Sequence, residues 1–232
     1  MIFTEAIFPI FLIFVLGVYW LALRGSWRND WLLLASAIFY GWWDVRFLLL
    51  IATVIAISWY AGRRIRDLMG HRKGQLQVLW VAIGLQLGLL AVFKYFGFFA
   101  SSAASALDSI GMEASWPTLN IILPVGISFY IFQAISYLVD VYRRDLVAEN
   151  NPGRVALYIA FFPQLVAGPI VRAASFFPQI DRKKTFTTAL FWAGARAFAV
   201  GFIYKAALAD NIAPFVDPVL ADISQWDNRS LF

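Results

Sequence analysis

One run of the sequence carries its polar side chains along a single line. Counting from Pro124 at about 100° per residue, Gly126, Tyr130, Gln133, Tyr137, Asp140 and Arg144 fall within an arc of roughly 80°, among Ile, Phe, Val and Leu. An acid or guanidinium deep in hydrocarbon costs about 2.5–3.5 kcal/mol, so such a stripe has to face other helices or a wet cavity. Two readings stand side by side. The stripe is the wall of a tunnel, or it is a set of interhelical hydrogen bonds closed by an Asp140–Arg144 pair at i,i+4 near the interface.

A second group lies between Val155 and Val171, where Pro163 and Gly168-Pro169 interrupt an apolar run. Proline removes a backbone donor and glycine permits unusual angles, so a continuous helix is not expected. The loops on both sides are basic, with Arg143, Arg144 and Arg154 before and Arg172, Arg182, Lys183 and Lys184 after. A re-entrant element that dips in from the cytoplasm and returns satisfies both facts, provided protein or water covers its free backbone groups. Two short crossings are the alternative. Gln164 and Arg172 then offer polar groups, beside the bent backbone, to a solute arriving from the cytoplasm.

Arg196 stands near the middle of the last apolar run, too deep to snorkel, and calls for a buried acidic or carbonyl partner. Ala193, Ala197 and Gly201 beside it make a small-residue face suited to close helix contact. Lys94 and Lys205 lie nearer the ends of their runs and can reach an interface. His71, the single histidine, sits among Arg and Lys in a loop with no acid or hydroxyl arranged around it. It reads as a solvated loop residue. No nucleophile-elbow, phosphate-loop or zinc-protease pattern occurs.

The elements that must position these groups are membrane helices. Of the 232 residues, 61% are hydrophobic and only 14% charged, against about 45–50% and 25% in soluble domains. Runs such as 2–23 and 76–93 hold at most one acid, enough to cross a hydrocarbon core of about 30 Å. The absence of cysteine excludes disulfides, thiolate metal sites and palmitoylation, and one histidine excludes a multi-histidine metal site. The net charge of +5 lies largely in short loops, which speaks for positive-inside topology and against nucleic-acid binding.

Along the chain, residues 2–23 read as a retained span, and 31–61 as a hairpin or a surface helix followed by a span, broken at Gly41-Trp42-Trp43-Asp44. A cytoplasmic loop with Arg63, Arg64, Arg66, Arg72 and Lys73 follows. Spans are expected at 75–99, 119–142 and 186–208, with an exoplasmic segment at 101–117 and a polar tail after 209. The expected fold is all-α and polytopic, with about five to seven membrane helices and one re-entrant broken segment.

Two motifs carry a resemblance. LPVGISFYIFQAISYLVDVYRR (residues 123–144) and YIAFFPQLVAGPIVR (158–172) resemble the signature of the membrane-bound O-acyltransferase family, in its bacterial alginate O-acetylation branch. FYGWWD (39–44), FKYFGFF (93–99) and a looser YKAALADNIAPFVD (204–217) support it. The resemblance implies a helical ring around a thin centre with a funnel at each membrane face, in a multi-pass protein of the bacterial inner membrane. It implies acyl transfer from a cytoplasmic thioester such as acetyl-CoA, with no bound cofactor and no metal, and delivery to periplasmic proteins that acetylate an exported polysaccharide.

Members of this branch are about twice as long, and their catalytic histidine lies in the half that would follow Phe232. Residues 1–232 therefore read as the N-terminal part of such a domain, with no separate soluble domain, no catalytic residue of their own and no activity alone. The candidate substrate or tunnel-lining residues are Tyr130, Gln133, Tyr137, Asp140, Gln164, Gly168, Pro169, Arg172 and Arg196. A transporter and a non-catalytic membrane scaffold are the competing readings.

Overall fold

The computed structural model describes residues 7–109, 124–165 and 168–221, and every regular element among them is helical. Three helical stretches are long and apolar enough to cross a membrane, Arg46–Asp67, Arg72–Tyr95 and Thr188–Asp217, with a shorter apolar stretch at Ile7–Ala22. The chain divides into two compact units, residues 22–182 and the two ends together, 1–21 with 183–232.

The larger unit runs through α2 (Trp27–Gly41), α3 (Arg46–Asp67), α4 (Arg72–Ser109), α5 (Ile127–Arg143), α6 (Pro152–Ala160), α7 (Phe162–Leu165) and α8 (Ala173–Asp181). The expected break after Gly41 is present. Asp44 accepts from the backbone N–H of Arg46 at 2.8 Å and starts α3. The basic cluster expected in a loop is instead helical: Arg63, Arg64 and Arg66 belong to the last turns of α3, and Arg72 and Lys73 to the first turn of α4. Cations in a closing turn complement the helix dipole, so the loop shrinks to residues 68–71, where Gly70 takes φ +96°.

α4 begins at Arg72 rather than Gln75 and continues to Ser109, into the segment read as an exoplasmic loop; residues 110–123 lie outside the described set. Helix α5 starts at Ile127, later than the expected 119, because Pro124 and Gly126 set its entry. Gly126 takes φ +77°, open to glycine at little cost. Its exit is less ordinary. Arg144 adopts φ +69°, a left-handed conformation that costs a non-glycine residue roughly 1–2 kcal/mol.

Helix α5 is the hub of this unit. It packs against α3, α4, α6 and α8, and Tyr130, Ile131, Ala134, Tyr137 and Leu138 are wholly enclosed. Its stripe faces protein while Phe129 and Phe132 look outward. The segment at 155–171 is broken as expected. Asn151 caps α6, accepting from Gly153 N–H at 2.8 Å with Pro152 in the first turn. Nine residues later α6 stops, at about 14 Å, well short of a crossing.

In the other unit α1 (Ile7–Gly17) continues as a π-helical turn to Ala22, and α9 (Thr188–Ile203) passes through a second π turn, Tyr204–Ala209, into α10 (Asp210–Ala221). The polar tail expected from 209 is therefore helical as far as Ala221, and 222–232 lie outside the described residues. Lys205 and Asp210 pair across the π turn, and Thr187 caps α9 at Leu190 N–H, 3.3 Å. Phe198 lies 6.4 Å from Phe8, yet no residue of α9 is buried.

Candidate functional site

The break between α6 and α7 creates a problem that the site solves. An uninterrupted helix would join the Tyr158 carbonyl to the Phe162 N–H; at Phe161 the backbone turns to ψ 110° and separates them. Each unpaired group in an apolar interior costs several kcal/mol. Both find side chains. The Tyr158 carbonyl accepts from Gln133 Nε2 at 2.6 Å and from Gln164 Nε2 at 2.8 Å. Phe162 N–H donates to Ser36 Oγ at 3.1 Å, across from α2.

The same Tyr158 holds the return. Its hydroxyl donates to the Val171 carbonyl at 2.9 Å, pinning the run 168–172, which forms no regular element. Its ring sits among Tyr137, Phe176 and Phe177, with centroids 6.3, 5.5 and 5.6 Å away. Gly168 closes the bend by donating to the Gln164 carbonyl at 3.1 Å. A Cβ there would stand 2.4 Å from Gln164 Cα, so only glycine fits.

The stripe of α5 divides in two. Gln133 and Tyr137 are committed to structure, Tyr137 Oη accepting from the Glu149 N–H at 3.0 Å. The close approach of α3 to that hydroxyl is permitted by Gly62, whose Cβ would lie 3.0 Å from it. Tyr130 and, on α2, Tyr40 are buried edge to face, ring centroids 6.1 Å apart, and among the described residues their hydroxyls and Asp140 Oδ2 have no partner beyond that pair. The expected Asp140–Arg144 pair does not form among the described residues: the left-handed turn carries Arg144 outward, and the Asp140 carbonyl caps the helix by accepting from Asp145 and Leu146.

At the basic end a clamp ties the loop before α6 to its neighbours. Arg154 reaches Glu149 at 2.6 Å and both oxygens of Asp181, and this bonding holds the Asp181 carboxyl below its ordinary value. Arg66 donates to the Asn150 side chain and Trp59 Nε1 to its carbonyl at 2.9 Å.

The structure thus brings Tyr130, Gln133, Tyr137, Asp140 and Gln164 into one interior, with Gly168, Pro169 and Arg172 along the return that leaves it. Pro169, Ile170 and Arg172 are exposed. Arg196 belongs to the other unit, and the carbonyl it finds is that of Trp192 in its own helix, at 3.3 Å. His71 is an exposed turn residue. Among the described residues no cluster of His, Asp or Glu is grouped to hold a metal ion. Sequence reasoning missed Tyr158, Ser36 and Gly62. Tyr158 carried a signal, one tyrosine ahead of a Phe-Phe-Pro break, whereas Ser36 and Gly62 read as ordinary small residues in apolar helices.

Comparison with known proteins places this arrangement. A probable alginate O-acetylase AlgI of Azotobacter vinelandii is 39% identical over 224 residues, covering 95% of this chain and 44% of that protein. The chain is a relative of the N-terminal half of the alginate O-acetylases. The corresponding protein of Pseudomonas putida is 38% identical over 222 residues, with 95% of this chain and 45% of its own length covered. A peptidoglycan O-acetyltransferase of Helicobacter pylori is 32% identical over 215 residues, 81% of this chain and 39% of that protein. The chain spans less than half the length of these relatives. No family model and no solved structure matches it. The expected kinship with the alginate branch therefore holds across nearly the whole chain, both long motifs included.

Proposed function

We propose that this chain is the donor-facing scaffold of a membrane O-acyltransferase that moves an acetyl group from a cytoplasmic thioester such as acetyl-CoA towards an exported polysaccharide. Its kinship with proteins named for alginate and peptidoglycan O-acetylation carries the reading. In the net reaction the acyl C–S bond breaks, a C–O bond to an acceptor hydroxyl forms, and the hydroxyl proton passes through a base to the departing thiolate, which leaves as the free thiol. The chain sits in the bacterial inner membrane and hands the acetyl group on to periplasmic polysaccharide-acetylating proteins.

The roles follow from which groups are already engaged. Gln133, Gln164 and Tyr158 spend their polar groups on holding the broken element, so they position rather than react. Asp140 Oδ2 keeps unused capacity inside the helix cluster among the described residues and, with the Tyr130 hydroxyl beside Tyr40, is assigned to meet a polar group of the incoming substrate. Arg172, exposed where the return emerges, is assigned to the anionic part of the donor. The single histidine, His71, is not assigned as the base, because it lies in the exposed turn at 68–71. A positioned base contributes about 10²–10⁴-fold, so the chain alone is assigned no turnover.

Cysteines introduced singly at 164, 169 and 172 test the placement with membrane-impermeant thiol reagents applied from the cytoplasmic face. Labelling at 169 and 172 with protection at 164 is the expected pattern; protection of all three removes the donor funnel from this element. Acetylation in a deletion strain complemented with this chain or with a full-length relative tests the activity. Equal restoration by both would refute the scaffold role.

A further inference from the structure

The hairpin of α3 and α4 holds a groove that the acyl-transfer reading leaves unused. The two helices turn back on each other through residues 68–71, and a cavity of about 420 Å³ opens between them. Its mouth, near the turn, is polar: Arg64 from α3 and Gln77 from α4. Away from the turn the lining is apolar, with Ile57, Ala61, Val81 and Leu85. At 1.5 Å per residue this apolar part extends about 6–10 Å along the hairpin. Ala61 and Ala82, each 3% exposed, form its floor. Larger side chains at those two positions would fill it.

Most cations around the turn are occupied by protein. The Arg63 guanidinium lies 4.9 Å from the Trp59 ring centroid, Arg72 lies 5.7 Å from that of Tyr142, and Arg66 bonds Asp67 and Asn150. Arg64, exposed at the mouth, makes no side-chain hydrogen bond or ion pair among the described residues. A free guanidinium above an apolar slot, at the basic end of two membrane-length helices, matches an amphiphile with an anionic head. Basic pockets between membrane helices on the cytoplasmic side recognise such head groups.

We infer that the groove binds one anionic phospholipid from the leaflet facing the basic turn. Its phosphate sits on Arg64 and the Gln77 amide, and the first methylenes of one acyl chain lie over Ala61 and Val81. A zwitterionic lipid offers the same phosphate but neutralises it with its own ammonium, so head-group preference is the signature. A lipid held only as annular filler would show none.

The test uses the full 232-residue chain, purified from membranes and equilibrated with equal amounts of phosphatidylglycerol and phosphatidylcholine before native mass spectrometry. One retained phosphatidylglycerol is expected in preference to phosphatidylcholine. Arg64→Gln lowers that preference about fivefold, the weight of one basic residue at a membrane surface, while Arg63→Gln, whose guanidinium is stacked elsewhere, leaves it unchanged. Ala82→Leu, which fills the floor and keeps the helix, removes retention altogether. Absence of any head-group preference in the parent chain, or equal losses in Arg63→Gln and Arg64→Gln, overturns the inference.

Discussion

Helices α5 and α9 are both apolar helices crossed by polar residues, and the chain treats them in opposite ways. In α5 the stripe is enclosed, and Gln133 and Tyr137 hold neighbouring elements by their backbone groups. In α9 no residue is buried and, among the described residues, Arg196 bonds a carbonyl of its own helix alone. The rule that a polar group in hydrocarbon needs an internal partner is met by tertiary structure in the first case and by one local bond in the second. Polar residues in membrane helices are therefore of two physical kinds: those that assemble the fold, and those that the fold leaves available.

The contrast can be broken most severely at Tyr158. Tyr158→Ala should cost about 3–5 kcal/mol, the usual loss for a large enclosed aromatic, while Phe191→Ala on α9 should stay within about 0.5 kcal/mol, as for an exposed site. Detergent-titrated unfolding of the two variants measures both, and comparable losses would dissolve the distinction. Next in size, Arg196→Leu should favour insertion of the Thr188–Asp217 stretch by about 2.5–3.5 kcal/mol, read as the inserted fraction of the full chain. No gain would mean that Arg196 has a partner beyond Trp192.

A smaller effect separates satisfied from unsatisfied backbone. Ser36→Ala leaves the Phe162 N–H unpaired and should cost about 1–3 kcal/mol, whereas Thr53→Ala on exposed α3 surface, whose hydroxyl bonds only the Leu49 carbonyl of its own helix, should cost little. Equal melting shifts would show that the break needs no external donor or acceptor. The smallest expectation concerns pH. Asp181 has its pKa lowered below the ordinary 3.8 by Arg154, so the clamp contributes fully above that value and is lost as pH falls through the lowered one. Protease access to α8 should therefore stay constant from pH 8 to pH 5 and rise only in stronger acid; a rise near pH 6 would assign the clamp to another group.

Much of this was legible in the residues. Pro163 and Gly168-Pro169 announced the break, Gly41 to Asp44 the turn before α3, and the 100° periodicity the stripe of α5, because each is a local property of backbone or spacing. The basic cluster was misread as loop since charge identifies a membrane end without telling a helical terminus from a turn. α10 was hidden by Pro214 and Pro218, which look like breakers until Pro214 is seen within the first turns of a new helix after a π turn. The Asp140–Arg144 pair failed for a reason no spacing rule contains, the left-handed backbone at Arg144. Ser36 and Gly62 were unreadable because their work depends on what arrives from elsewhere in the chain.

That dependence has a time attached to it. The Ser36 hydroxyl and the Phe162 N–H it receives are separated by 126 residues, which a ribosome adding about 5–20 residues per second covers in roughly 6–25 s. Ser36 spends that interval in a helix where its hydroxyl already donates to the Leu32 carbonyl at 2.7 Å, a bond that needs nothing made later. Its proton is thus occupied and its lone pairs are left outward, so α2 presents an acceptor waiting for a donor that has not yet been translated.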